Sequence, residues 1–180
     1  MTLRMRQTLK WVLWVLLLLF FGGVQSAPGL SLGGIRPVLL LTAAVSVALM
    51  EKNDLAACGY CIFAGLLWDV SDGRLLGFYA LVLLFCCIGI RWLVRTWLRQ
   101  TSLNAIWLSA AVTLICGLWN AEFYLFIWGY AEGMVLKVLW ELLLQAILTG
   151  LFGYPVCLLM RLIRDKVMGA EESRLHRRKE

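Results

Sequence analysis

The sequence predicts an all-α integral membrane protein, a compact bundle of about six transmembrane helices. Three observations carry this reading. Residues of the AVILMFWYC set make up 62% of the 180 residues, charged residues only 16%, and the mean hydropathy is +0.82. A small soluble globule could not cover its surface with so little polar side chain, and a disordered chain would be far less apolar. The apolar residues also fall into six runs separated by short polar joints. Six spans of about 20 residues consume about 120, so 1–180 reads as one transmembrane domain, with no room for a separate catalytic domain.

The first run, 11–24, follows Arg4, Arg6 and Lys10 and has the outline of a signal peptide. A break after Ala27 would place Gln25 at the −3 position and Pro28 directly behind, so the expectation is an uncleaved helix ending near Gly22–Gly23. Gln25 to Arg36, with Pro28, Gly29, Gly33 and Gly34, reads as a loop. Runs two (37–50) and three (55–68) have 14 residues each, about 21 Å of helix against a core of about 30 Å. Either both cross with help from their flanks, or they form a hairpin on one side. Asp69 to Arg74 reads as a polar turn, with Asp72-Gly73 as turn chemistry. Run four covers 75–93 and run five 103–121. Run six, 134–160, contains Gly150, Gly153 and Pro155, which predict a kink or break. The basic tail, 161–180, is expected in the cytoplasm as a short helix or a disordered end.

Charge placement sets the expected orientation. With the amino terminus inside and six crossings, Arg4, Arg6, Lys10, Lys52, Arg91, Arg95, Arg99 and the tail cations fall inside, whereas Arg36 and Arg74 fall outside. That bias predicts a bacterial inner-membrane protein with both termini cytoplasmic. Trp11, Trp14, Trp92, Trp97 and Trp107 fall near the inner interface, and Trp68, Trp128 and Trp140 near the outer one. The basic residues flank apolar runs, so no nucleic-acid partner is expected.

The residues carry no case for an enzyme. The single histidine, His176, lies in the tail, and no catalytic triad, H-E-x-x-H or phosphate-binding loop occurs. Cys58, Cys61, Cys86, Cys87, Cys116 and Cys157 all lie in apolar runs, where cysteine packs as a small hydrophobe. The Cys58-x-x-Cys61 pair lacks a second pair or a nearby histidine, so neither a metal nor a cofactor is expected. Charged residues in apolar runs are the candidates for function. Lys137 and Glu141, four apart, can pair on one helix face or bond a neighbouring helix. Asp72 and Arg74 are either a polar turn or an outward contact for a partner. Arg91, Arg95 and Arg99 share one helical face and are expected to meet anionic lipid or a cytoplasmic partner. Ala56, Gly59, Ala64 and Gly65 give the third helix a small-residue face suited to packing within the bundle.

The stretch from Phe63 to Gly77 resembles the signature of the MreD family of rod shape-determining proteins: Gly65-Leu66 followed by Asp69, then Leu76-Gly77 at the start of the next helix. The resemblance runs from about Pro37 to Lys166. The many cysteines and tryptophans depart from it. It implies a non-enzymatic scaffold of the bacterial elongation machinery, supporting lateral peptidoglycan synthesis and cell shape. The implied partner is MreC, a bitopic protein. Through it the family associates with the MreB filament, the polymerase RodA and a penicillin-binding transpeptidase. Gly65, Asp69 and Gly77 would form the structural hinge of the motif. The family is also similar in helix arrangement to the substrate-binding subunits of vitamin uptake transporters. That similarity sets the alternative function: binding a vitamin-like molecule in an outer pocket between the Asp69–Arg74 loop, the Phe123–Tyr130 stretch and Glu141.

Overall fold

The computed structural model describes the backbone of residues 3–27, 34–51, 53–73, 76–97, 103–128 and 134–177. Within these, the side chains of 3, 4, 6, 123–128, 134 and 168–177 are not described. Six helices are present among the described residues: α1 (Leu3–Ser26), α2 (Leu39–Met50), α3 (Asp54–Asp72), α4 (Phe78–Thr96), α5 (Asn104–Trp128) and α6 (Met134–Arg177). Five are long and apolar enough to cross a membrane, and α2, with 12 residues, is shorter. The chain is an all-α membrane bundle.

The exception organises the rest. Every residue of α2 from Leu39 to Met50 is buried, and α1, α3, α4, α5 and α6 all pack against it. An apolar run with no polar stripe must be covered on every side, and here protein rather than lipid covers it. The helix is only about 18 Å long, so its unpaired terminal backbone groups lie inside the bundle, where each would be costly. Neighbouring side chains satisfy them. At the amino end the Val38 N–H donates to Thr149 Oγ1 of α6 at 3.2 Å, and the Leu40 N–H to Gln25 Oε1 of α1 at 3.2 Å. At the carboxyl end Arg91 of α4 donates from Nη1 to the carbonyls of Glu51 at 2.6 Å and Ala48 at 3.4 Å. A cation there also opposes the negative end of the helix dipole.

These contacts fix the direction of the chain. Gln25, late in α1, meets the start of α2, and Lys10, early in α1, pairs with Glu51 just beyond its end at 2.5 Å. Thus α2 runs antiparallel to α1 between two ends of the bundle, and α3 returns alongside it.

Several boundaries differ from expectation. Helix α1 continues through Gly22-Gly23 to Ser26, carrying Gln25 to its place on α2 instead of into a loop. Ser26 Oγ donates back to the Gly22 carbonyl at 2.9 Å. Helix α3 runs on through Asp69 to Asp72, and the turn starts at Gly73 with φ 64°. Helix α6 is unbroken at Pro155 and continues to Arg177. Gly150 and Gly153 serve instead as close contacts: a Cβ on Gly153 would meet Ser109 Oγ at 2.7 Å, and one on Gly150 the Ile106 carbonyl at 3.0 Å. Trp14 and Trp68 are buried inside the bundle, because aromatic neighbours enclose them: Trp11 and Tyr60 for Trp14, Tyr79 for Trp68.

Candidate functional site

Two clusters of charged and polar residues occupy opposite ends of the bundle. At the first, α1, the α2–α3 joint and α4 converge. Lys10 lies over the rings of Trp14 and Trp11, 4.7 and 5.1 Å from their centroids, while paired with Glu51. Both side chains are nearly buried, a location a lysine tolerates only when paired. Asp54, in the first turn of α3, is held by Arg91 and Arg95 together. The expectation that Arg91, Arg95 and Arg99 present one outward face is therefore corrected for Arg91. Its side chain points into the bundle because the orphan carbonyls of α2 and the Asp54 carboxylate lie there. Arg95 is largely exposed while still bonded to Asp54, and Arg99 lies outside the described residues.

At the second end, α3 meets α4 through the residues singled out at 65–77. Asp69 is fully buried. Its Oδ2 accepts from the Gly77 N–H at 2.8 Å and its Oδ1 from the Tyr79 N–H at 2.9 Å. The carboxylate thus caps α4 from eight to ten residues upstream, where the dipole favours negative charge. Gly77, at φ 101°, takes the left-handed turn that brings α4 back onto α3. One turn deeper Gly65 lets the two backbones touch: a Cβ there would lie 2.8 Å from the Tyr79 carbonyl carbon and closer still to Ala80. Trp68 stacks flat on Tyr79, centroids 3.9 Å apart and planes 4° from parallel. Leu66 and Leu76 are exposed and take no part in this clamp. Asp72 is exposed at the end of α3, and Arg74 lies outside the described residues. The small-residue face of α3 is divided: Ala64 and Gly65 pack inward, whereas Gly59 is exposed with open space beyond it.

The clamp is sensitive to a single methyl group. Gly65→Ala is expected to lower stability by about 2 kcal/mol, since the obstacle is backbone and cannot rotate away. Denaturant titration of the protein in mixed micelles measures it, with Gly59→Ala near neutral as the control.

A family model described as rod shape-determining protein MreD matches residues 5–163. The chain belongs to the MreD family. No curated protein and no solved structure matches it. MreD proteins act in rod shape determination, and this member is a multi-pass membrane protein. Gly65, Asp69 and Gly77 converge on one helix junction, where they make structure.

Beside the clamp a cavity of about 910 Å³ opens between α1, the 34–38 segment, α3, α5 and α6. Gln25, Arg36, Asp72, Glu141 and Gln145 line it. Sequence reasoning did not single out Gln25, Arg36 or Gln145 for this site. Gln25 lay in a segment read as loop, and nothing local in the sequence links Arg36 to Gln145, whose Nε2 donates to the Arg36 carbonyl at 3.1 Å. The expected Lys137–Glu141 ion pair does not form among the described residues. Both side chains are exposed, and Glu141 borders the cavity. The Phe123–Tyr130 side chains expected at this pocket lie outside the described residues. No group of three metal-ligating side chains occurs among the described residues.

Proposed function

We propose that this MreD protein is a non-enzymatic scaffold that holds an MreC-type bitopic partner in the bacterial inner membrane, with both of its own termini cytoplasmic. Through that partner it joins the MreB filament, RodA and the penicillin-binding transpeptidase in lateral peptidoglycan synthesis. The observation that carries the reading is the buried Asp69 cap. Gly65, Asp69 and Gly77 set the angle and register of α3 and α4, which is what a docking frame requires. Affinity between helices in lipid comes from packing and a few polar bonds. The outward face of α4, with Leu81, Phe85, Ile88 and Trp92 exposed, offers packing surface. Asp72 and Arg74, at the end of α3 and beyond it, are the outward polar contact. Arg95 and Arg99 are left for anionic lipid or a cytoplasmic partner, with Arg91 retained inside. The one-sided basic bias supports the orientation.

Photocrosslinking in cells tests this. A crosslinking residue at position 72 or 74 is expected to capture the MreC-type protein, and one at the buried position 64 is not. Absence of that partner from both outward positions, at normal protein levels, would refute the scaffold reading. The cavity favours a second reading, a vitamin-like binding subunit of an uptake transporter, and retention of such a molecule through purification would support it.

A further inference from the structure

We propose that the cavity beside the Asp69 clamp binds a small zwitterion, a primary ammonium group a few atoms from a phosphate or carboxylate. Its volume of about 910 Å³ is within the range of small-molecule sites. Its lining holds donors. Gln25 is 9% exposed and its Oε1 is taken by the Leu40 N–H, leaving Nε2 with no partner among the described residues. Arg36 adds a guanidinium to the same lining. The lining also holds acceptors. Glu141 has neither hydrogen bond nor ion pair among the described residues, and it belongs to the apolar run of α6, where an unpaired carboxylate is costly. Gln145 uses its Nε2 on Arg36, so its Oε1 remains to accept. Glu141 thus offers a carboxylate to an ammonium group, and Arg36 with Gln25 offers donors to an anionic one. Val38, Val138 and Leu142 supply an apolar wall for the body of the ligand.

Two sources carry this chemistry: the headgroup of phosphatidylethanolamine, or a free compound such as phosphoethanolamine. The full chain, delipidated in detergent, is offered phosphatidylethanolamine, phosphatidylglycerol with the same acyl chains, or soluble phosphoethanolamine, and bound species are counted by native mass spectrometry. The expected result is retention of an ethanolamine species about tenfold above phosphatidylglycerol. It should fall about tenfold in Glu141→Gln, whose exposed side chain can change without disturbing the core. Ala121→Trp, which fills the cavity and leaves its charges alone, should abolish it. Retention of the lipid alone identifies a headgroup site, and retention of phosphoethanolamine alone identifies a free ligand; either supports the proposal. Equal retention of the two lipids, retention unaffected by both variants, or no retention would overturn it, as would an unrelated molecule occupying the cavity in the purified protein.

Discussion

Asp69→Ala is expected to lower the stability of the bundle by about 3 kcal/mol. The change leaves the amide groups of Gly77 and Tyr79 inside the protein without an acceptor, and each such loss costs about 1–3 kcal/mol. The bonds removed are charge-assisted and sit at a helix amino terminus, where a carboxylate is at its strongest. Asp69→Asn keeps one acceptor oxygen and should lose about half as much. Unfolding in mixed micelles, followed by tryptophan fluorescence, reads the difference, because Trp68 leaves its stack on Tyr79 when α4 is released. An Asp69→Ala protein as stable as the parent would mean that the clamp does not hold α4. In cells the same variant should lose its partner because the docking frame is displaced, whereas Asp72→Ala should lose it at unchanged stability.

The second large effect is expected at the opposite end. Arg91→Met removes the donor to the carbonyls of Ala48 and Glu51 while keeping an apolar stem of similar length. Losing charge-assisted bonds to buried carbonyls predicts a cost of about 3 kcal/mol. Arg95→Met, on a side chain left largely in the open, should cost under about 1 kcal/mol. Salt separates the two: raising ionic strength should erode the contribution of Arg95 and leave most of that of Arg91. Equal losses for the two variants would count against the inward role of Arg91.

The sequence made the bundle legible for a simple reason. Apolar runs and their polar joints are local, and lipid rewards them directly. The junction at Gly65, Asp69 and Gly77 was legible only through its likeness to a family signature. Asp69 and Asp72 look alike in sequence, both near a Gly-containing turn. What separates them is the pair of amides at positions 77 and 79, reachable only once α4 folds back. Arg91 misled for the same reason. Its spacing with Arg95 and Arg99 describes a face of one helix, but its direction is decided by carbonyls on another. The lack of charged residues in α2 hinted at burial, but which helices surround it became visible only in the packed bundle.

The central helix has a consequence for how this protein is made. A segment with protein on every side has no resting place of its own in a membrane, and α2 is too short to hold both interfaces while it waits. Its seat comes from Thr149 and Arg91 as well as from α1, so it is finished only when the last helix arrives. Biogenesis is therefore order-dependent. The early hairpin must be sheltered, by the insertion machinery or by its own loose pairing with α1 and α3, until late synthesis closes the ring around it.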